Sequence, residues 1–256
     1  MTIVISKCPK CGHLRRPDET DKPECCPACG LYFEKWARRN DAGATFRQEA
    51  ITEDVGESFW RDALRQRLFN IPGRGDHARF YGRAVLAALF LIWGVRLANL
   101  DYRYGEFGGS FMHNILLPIH EAGHVLFIPF GQFMTILGGS LFQLLLPLIV
   151  AATVLWQNRD PFGAALGLWW CGVSLMDLAP YIYDAKAPRL ILLGGHTGED
   201  GPHDWIYLLG VFHRIDQSPL YGAVAHKLGA LLMLSGVAAA AWVLWRMWQT
   251  RSEHNN

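Results

Sequence analysis

Long apolar blocks separated by short polar stretches dominate the chain from about residue 80 onward. Five of these blocks lie at about residues 82–100, 111–130, 133–156, 161–183 and 225–246. A helix needs about 20 consecutive apolar residues to cross the hydrocarbon core of a bilayer, and each block is close to or above that length. The pattern therefore predicts an all-α polytopic membrane protein with about five transmembrane helices in a lipid bilayer.

The residues before the first block are polar and divide into two predicted domains. Residues 1–40 contain most of the cysteines, and residues 41–80 form a linker that ends in a basic amphipathic helix. In that helix apolar residues recur at helical spacing between arginines: Phe59, Trp60, Leu64 and Leu68 alternate with Arg61, Arg65 and Arg67. Such a helix lies on an anionic membrane surface or packs on the N-terminal domain. The third predicted domain, residues 81–256, is the membrane domain.

Two copies of one short motif predict a four-cysteine zinc site. The copies are Cys8-Pro-Lys-Cys11-Gly12 and Cys26-Pro-Ala-Cys29-Gly30. Each C-x-x-C turn offers two thiolates, and two such turns complete a tetrahedral site. Cys26 is assigned in preference to Cys25 because it repeats the C-P-x-C-G pattern of the first copy. A disulfide interpretation needs an oxidising compartment, so a zinc ribbon with one structural Zn²⁺ in a reducing compartment is favoured.

Basic residues predict the orientation of the chain in the membrane. Arginines at positions 61, 65, 67, 74, 79 and 83 precede or open the first apolar block, and the positive-inside rule places such a flank in the cytoplasm. No cleavable signal sequence is apparent, so we expect the cell (cytoplasmic or inner) membrane and a cytoplasmic N-terminus. Five alternating spans place the loop at 101–110 outside and the segment 184–224 inside. The formal net charge of +1 gives no indication of nucleic-acid binding.

The second apolar block carries a metal-ligand pattern, H-E-x-x-H, formed by His120, Glu121 and His124. On a helix the two histidines share one face and can bind one zinc ion, with Glu121 beside them. Glu121 is the only formally charged residue between positions 111 and 130, and a charge at the bilayer centre costs at least ~2.5 kcal/mol. A carboxylate retained at that cost predicts a functional site, in which Zn²⁺ activates water and Glu121 accepts its proton.

A catalytic zinc site needs a third protein ligand, and the fourth block offers two, Asp177 and Asp184. The alternation of five spans places His124 and Asp184 toward the cytoplasmic ends of their helices, at one depth. The following loop either supplies a ligand, gates the site or is simply solvated. Its candidate residues are His196, Glu199, Asp200, His203 and Asp204. His113, one heptad before His120, is expected on the same helix face, where it contacts either substrate or the membrane interface.

These motifs together resemble the site-2 protease family of intramembrane zinc metalloproteases over about residues 111–186. The resemblance rests on His120-Glu121-Ala122-Gly123-His124, a glycine-rich start of the next helix, and Pro180-Tyr-Ile-Tyr-Asp184-Ala185. It implies that His120, His124 and Asp184 bind a catalytic Zn²⁺ and that Glu121 is the general base, with Asp177 as the alternative third ligand. The chain departs from the family pattern at Ala185, where the family has glycine, and it lacks the asparagine that opens the family motif.

The expected function is therefore an intramembrane zinc-dependent endopeptidase that hydrolyses membrane-embedded or membrane-proximal protein substrates. Gly138 and Gly139 are candidate substrate-binding residues, because small residues let a substrate backbone, or another helix, approach closely. The alternative is a non-catalytic zinc-binding membrane scaffold, or pseudoprotease, whose ribbon binds a cytoplasmic protein partner. A structural zinc site is closed by four protein ligands, whereas a catalytic site keeps one position open.

Overall fold

The computed structural model describes residues 7–14, 22, 24–36, 61–68 and 77–252, with the side chains of 250–252 excepted. The chain divides into two compact units, residues 1–64 and 65–256. The dividing point falls inside the predicted domain of residues 41–80. Most of the predicted linker, together with Phe59 and Trp60, lies outside the described residues.

The described part of the N-terminal unit contains two similar turns. Isolated antiparallel bridges pair Lys7 with Leu14 around the first turn and Cys25 with Tyr32 around the second. A helical turn follows at residues 33–36. The part of this unit that the structure describes contains bridges but no extended strand.

The second unit is mostly helical, and residues 61–68, which form α1, straddle the boundary. Among the described residues, four helices are long and apolar enough to cross a membrane, which indicates a membrane protein. They are α2 (His77–Ala98), α4 (Gln132–Gln157), α5 (Pro161–Asp184) and α7 (Ser218–Ser252), the last counted as a candidate span over Ile215–Gln249.

The predicted second span is not among these four helices, which corrects the expected number from about five to four. It forms α3 (Phe111–Phe127), which has 17 residues and is about 25 Å long at 1.5 Å per residue. A short 3₁₀ helix, Ile128–Phe130, contains Pro129 and ends α3. Gly131 then adopts a φ of 88°, a left-handed conformation that glycine reaches without strain, and α4 begins.

Both flanks of α3 lie at the same end of the helical unit. Before α3, the Tyr102 ring packs on Tyr183 at the end of α5, with 5.7 Å between ring centroids. After α3, the Phe133 ring packs on Phe212 with 6.0 Å between centroids; Phe212 caps α6 (Asp204–Val211), which follows α5. The predicted placement of the loop 101–110 and the segment 184–224 on opposite sides is therefore wrong, because α3 does not carry the chain across.

The opposite end of the unit joins the start of α2, the α4–α5 turn and the end of α7. Arg83 on α2 makes a salt bridge of 3.0 Å with Asp160, which caps α5, and its guanidinium also reaches Met247 on α7. The Arg67 guanidinium stacks over Trp156 at the end of α4, 4.0 Å from the ring centroid. The four long helices thus run from one common end to the other.

Helix α5 is the most buried of the four, and it packs on α7 through glycines. A Cβ added at Gly172 would meet backbone atoms of Gly229 and Met233 at under 3 Å. Small residues permit this kind of close backbone approach between membrane helices. The central position of α5 brings Asp177 within 2.7 Å of Nδ1 of His113 on α3 and the Tyr181 ring to 6.1 Å from the His120 ring.

Candidate metal centres

The H-E-x-x-H helix is held against α4 by a contact between two glycines. A Cβ at Gly123 would collide with the carbonyl oxygen of Gly138, and a Cβ at Gly138 would lie 2.7 Å from the carbonyl oxygen of Gly123. This backbone contact places the face of α3 that carries His120 and His124 directly on α4. Gly138 therefore lets another helix approach closely, which is one of the two roles expected for it from the sequence; the other is contact with a substrate backbone.

Three side chains from two separate segments converge on one point. The Nε2 atom of His120 lies 3.0 Å, and that of His124 3.2 Å, from Oδ2 of Asp204. Asp204 is the first residue of α6, and among the described residues these three form a group whose possible ligand atoms all lie within 4.8 Å of one another. The structure thus places the two H-E-x-x-H histidines and one carboxylate in a single group.

Hydrogen bonds determine which nitrogen of His120 faces Asp204. The amide nitrogen Nε2 of Gln143 donates to the carboxylate of Asp177 at 2.8 Å and to the carbonyl oxygen of Ser174 at 3.3 Å. Neither partner can donate to it, so the amide oxygen of Gln143 must face Nδ1 of His120, 2.9 Å away. That oxygen only accepts, and Nδ1 therefore carries a proton.

His124 has the same arrangement with a different acceptor. Its Nδ1 donates to the carbonyl oxygen of Thr135 at 2.8 Å. In the neutral form of each ring, Nε2 then presents a lone pair to the Asp204 carboxylate, and lone pairs at 3.0–3.2 Å repel unless a proton or a metal ion lies between them. One divalent ion satisfies all three atoms.

The spacing fits zinc. At Zn–N and Zn–O distances of about 2.0–2.1 Å, neighbouring atoms of a tetrahedral site lie roughly 3.3 Å apart, close to the two separations from Asp204. Gly139 makes room for this group, since a Cβ there would lie 2.5 Å from Nε2 of His120 and 2.6 Å from Nε2 of His124. Neither Gly138 nor Gly139 lines the cavity described below, and their predicted contact with substrate stays a prediction.

The two aspartates predicted as third ligand lie elsewhere. Asp184 is buried, and its carboxylate accepts hydrogen bonds from the backbone N–H groups of Arg189 and Leu190 at 2.8–3.3 Å. Asp177 accepts from Gln143 and, at 2.7 Å, from Nδ1 of His113. Neither belongs to the group of three. Asp184 instead shapes the start of the segment that leads to Asp204, and Asp177 supports His120 through Gln143.

Asp204 is held in place and kept ionised by its neighbours. Its backbone N–H donates to the hydroxyl oxygen of Tyr181 at 2.9 Å. The preceding His203 caps α6 by accepting from the N–H of Ile206. Burial opposes ionisation of Asp204, but without a metal the protonated Nε2 atoms of His120 and His124 donate hydrogen bonds to its carboxylate, which lower the pKa of Asp204 to about 2. The acid is therefore a carboxylate at neutral pH, the form that binds a metal.

A cavity of about 660 Å³ adjoins this group. Its polar lining includes His113, Glu121, His196 and Asp204, and its apolar wall includes the segment Leu190–Leu193. Glu121 is half-buried on α3 beside His120, where its carboxylate faces the same cavity as the group of three. Of the loop residues considered from the sequence, Asp204 joins the metal group, His196 lines the cavity, and His203 caps α6.

The N-terminal unit contains a second candidate metal centre. The sulfur atoms of Cys8, Cys11, Cys26 and Cys29 form one group, with Sγ–Sγ distances of 3.7 Å for Cys8–Cys29 and for Cys11–Cys26. Zn–S distances of about 2.3 Å place the sulfurs of a tetrahedral site roughly 3.8 Å apart. Burial raises the pKa of Cys8, but hydrogen bonds from the backbone of Cys11 and Lys10 lower it to about 6. A backbone hydrogen bond from His13 lowers the pKa of Cys11, but hydrogen bonds with the other sulfurs and burial raise it to about 12.

Gln143 was missed by reasoning from the sequence, although a signal was available. It is a buried polar residue within the otherwise apolar run of α4, and a buried amide in such a run requires hydrogen-bond partners. The partners themselves, one helix before and one helix after it, are not encoded in the local pattern.

Replacing Gln143 with methionine is expected to lower zinc affinity of the membrane unit by about 10–100-fold, the usual effect of removing the group that orients a metal-binding histidine. The side chain keeps its length but no longer accepts from Nδ1 of His120. The measurement is competitive zinc titration of the full chain in detergent. Gln132→Met, on the exposed first turn of the same helix, is the matched control. Equal zinc affinities of Gln143→Met and Gln132→Met would contradict the conclusion that Gln143 orients the His120 ring.

Comparison with known proteins gives no match to this chain: no protein-family model, no curated protein and no solved structure matches it. Its chemistry is therefore inferred from the residues and distances of the site itself.

Proposed function

We propose that the membrane unit is a zinc-dependent endopeptidase, similar to the site-2 protease family, and that His120, His124 and Asp204 bind the metal. The observation that carries this proposal is the convergence of two Nε2 atoms and one carboxylate oxygen at 3.0–3.2 Å next to a cavity lined by Glu121. The N-terminal cysteines hold a second, structural zinc in this proposal, and the ribbon binds a cytoplasmic partner.

The chemistry divides between the metal and the chain. A zinc ion at this position supplies a Lewis acid that polarises a carbonyl oxygen and acidifies water. Glu121 accepts the proton of the attacking water and passes it to the nitrogen that leaves when the peptide bond breaks. Asp177 and Gln143 keep His120 in the tautomer that leaves its Nε2 available, and Tyr181 holds Asp204 in place through its backbone.

The number of ligands favours catalysis over a structural role. Structural zinc sites are closed by four protein ligands, whereas catalytic sites have three and keep one position open. Within the part of the chain that the structure describes, the membrane group has three members and the N-terminal group has four. Glu121 in addition lies on a cavity wall, where a structural site has no use for a carboxylate.

Removal and return of the metal test this function. The purified full chain is incubated in detergent with a mixture of denatured membrane-protein fragments, and new amino termini are identified by mass spectrometry. We expect cleavage that stops after treatment with a zinc chelator and resumes when Zn²⁺ is restored. Cleavage that persists in the fully demetallated protein would contradict a zinc-dependent mechanism.

A further inference from the structure

The two ends of the helical unit differ in the chemistry that they carry. One end holds the candidate metal centre, because α5 ends at Asp184, the segment 185–203 follows it, and Asp204 opens α6. The loop before α3 lies at this end as well, since Tyr102 contacts Tyr183. His226, near the start of α7, contacts the carbonyl oxygen of Ala98 at the end of α2.

The other end holds more of the basic residues that flank the long helices. In the second unit these are Arg65, Arg67, Arg79, Arg83, Arg159, Arg246 and Arg251, and the sequence adds Arg61 and Arg74 to the segment that precedes α2. The end with the metal centre has Arg96, Arg103, Lys186, Arg189, Arg214 and Lys227. With four crossings the C-terminus lies on the same side of the membrane as the N-terminus, so Arg246 and Arg251 lie on the side of the N-terminal arginines. With five crossings the two groups of arginines would lie on opposite sides.

We infer that the metal centre opens on the non-cytoplasmic side of the membrane and takes polypeptide segments exposed on that side. Basic residues near the ends of membrane helices remain in the cytoplasm, which assigns the arginine-rich end to the cytoplasm and the metal-centre end to the opposite side. With the five spans expected from the sequence, His124 and Asp184 would lie near the cytoplasm. The assignment to the opposite side follows from α3, because both of its flanks lie at the same end of the helical unit and α3 therefore does not cross the membrane.

The cysteine-rich segment supports the same orientation by a separate route. Cys8, Cys11, Cys26 and Cys29 precede α2 and need a reducing compartment to remain thiolates that bind a metal. The chain enters α2 from the arginine-rich end, so a cytoplasmic cysteine cluster and a cytoplasmic arginine-rich end require the same orientation.

The substrate class follows from the cavity and rests on the proposed function. Two segments of the non-cytoplasmic end wall the cavity, the loop with Gly105 and Gly108 and the segment Leu190–Leu193. Leu190 packs against Gly105, where a Cβ would collide with its side chain. Because these walls are apolar or lack side chains, the expected substrate is an apolar polypeptide segment at the outer membrane surface, such as the outer flank of a membrane helix.

Labelling with a membrane-impermeant maleimide tests the orientation without relying on activity. Glu199→Cys lies in the segment after α5 and Asn158→Cys in the α4–α5 turn, and both positions are exposed. The full-length variants are compared in right-side-out membrane vesicles before and after permeabilisation, and the parent chain with its own six cysteines gives the background.

We expect Glu199→Cys to be labelled in sealed vesicles and Asn158→Cys to be labelled only after permeabilisation. The reverse pattern, or equal labelling of the two variants in sealed vesicles, would overturn the inference. Since labelling does not depend on hydrolysis, a failure of the orientation is distinguished from a failure of the proposed function, which the chelation experiment measures.

Discussion

Glu121→Gln is expected to reduce peptide hydrolysis by about 10²–10⁴-fold, the range that general acid–base catalysis contributes, and to leave zinc binding unchanged. Glutamine has the shape of glutamate but cannot accept a proton from water at neutral pH. The half-buried side chain lines the cavity and is not a member of the metal group. Loss of the Glu121 carboxylate therefore removes the transfer of a proton from water and leaves the metal group intact.

The measurement combines initial rates of cleavage with zinc content for the same preparations. Glu199→Gln is the control, because Glu199 is an exposed carboxylate at the same end of the unit and is absent from the cavity lining. If Glu121→Gln cleaves at the parent rate with zinc bound, Glu121 is not the general base and the catalytic assignment fails.

Asp204→Asn is expected to lower zinc affinity of the membrane unit by more than about 100-fold, beyond the effect of altering a residue that only orients a ligand. A neutral amide replaces the carboxylate that faces both Nε2 atoms at 3.0–3.2 Å. Zinc content should fall from about two ions per chain to about one, because the four-cysteine site stays filled.

Asp184→Asn is the informative comparison for that result. The asparagine keeps a carbonyl oxygen that accepts from the backbone of Arg189 and Leu190, and its side chain keeps the size needed beside Nε2 of His203, which lies 3.5 Å from the Asp184 carboxylate. We expect this variant to retain both zinc ions. Zinc lost from Asp184→Asn and retained by Asp204→Asn would restore the ligand set that the family resemblance implied and would refute the one proposed from the structure.

The residues that the sequence could predict lie close together along the chain. His120 and His124 share a helix face because their spacing is one turn, and the four cysteines form two local turns with a repeated pattern. The structure groups both sets. Local spacing is enough to predict that the two histidines lie together and that each cysteine pair forms a turn. Only the approach of the two cysteine turns to each other depends on folding over a longer stretch of the chain.

The third member of the membrane group depends on a long-range contact. Asp184 ends α5 at the position that the family motif suggests, but its carboxylate is occupied by backbone N–H groups of the following turn. Asp204 reaches His120 because the segment 185–203 folds back from the end of α5 to α3. The path of an irregular segment is not contained in hydrophobic periodicity, which left Asp204 as one of several loop candidates.

The predicted number of membrane crossings was wrong for a different reason. Hydropathy records how apolar a segment is, and residues 111–130 are as apolar as a membrane helix. It does not record that the chain around Pro129 and Gly131 turns back, or that the loop with Tyr102 packs on the end of α5. A helix that lines a site at one end of the bundle therefore has the same hydropathy as one that crosses it.

The most direct test of the metal centre is anomalous X-ray scattering at the zinc edge from crystals of the full chain. We predict a peak about 2.0–2.2 Å from Nε2 of His120, Nε2 of His124 and a carboxylate oxygen of Asp204, in addition to one among the four cysteines. A folded protein, crystallised with zinc, whose peaks lie only at the cysteines or on Asp184 or Asp177 would contradict it.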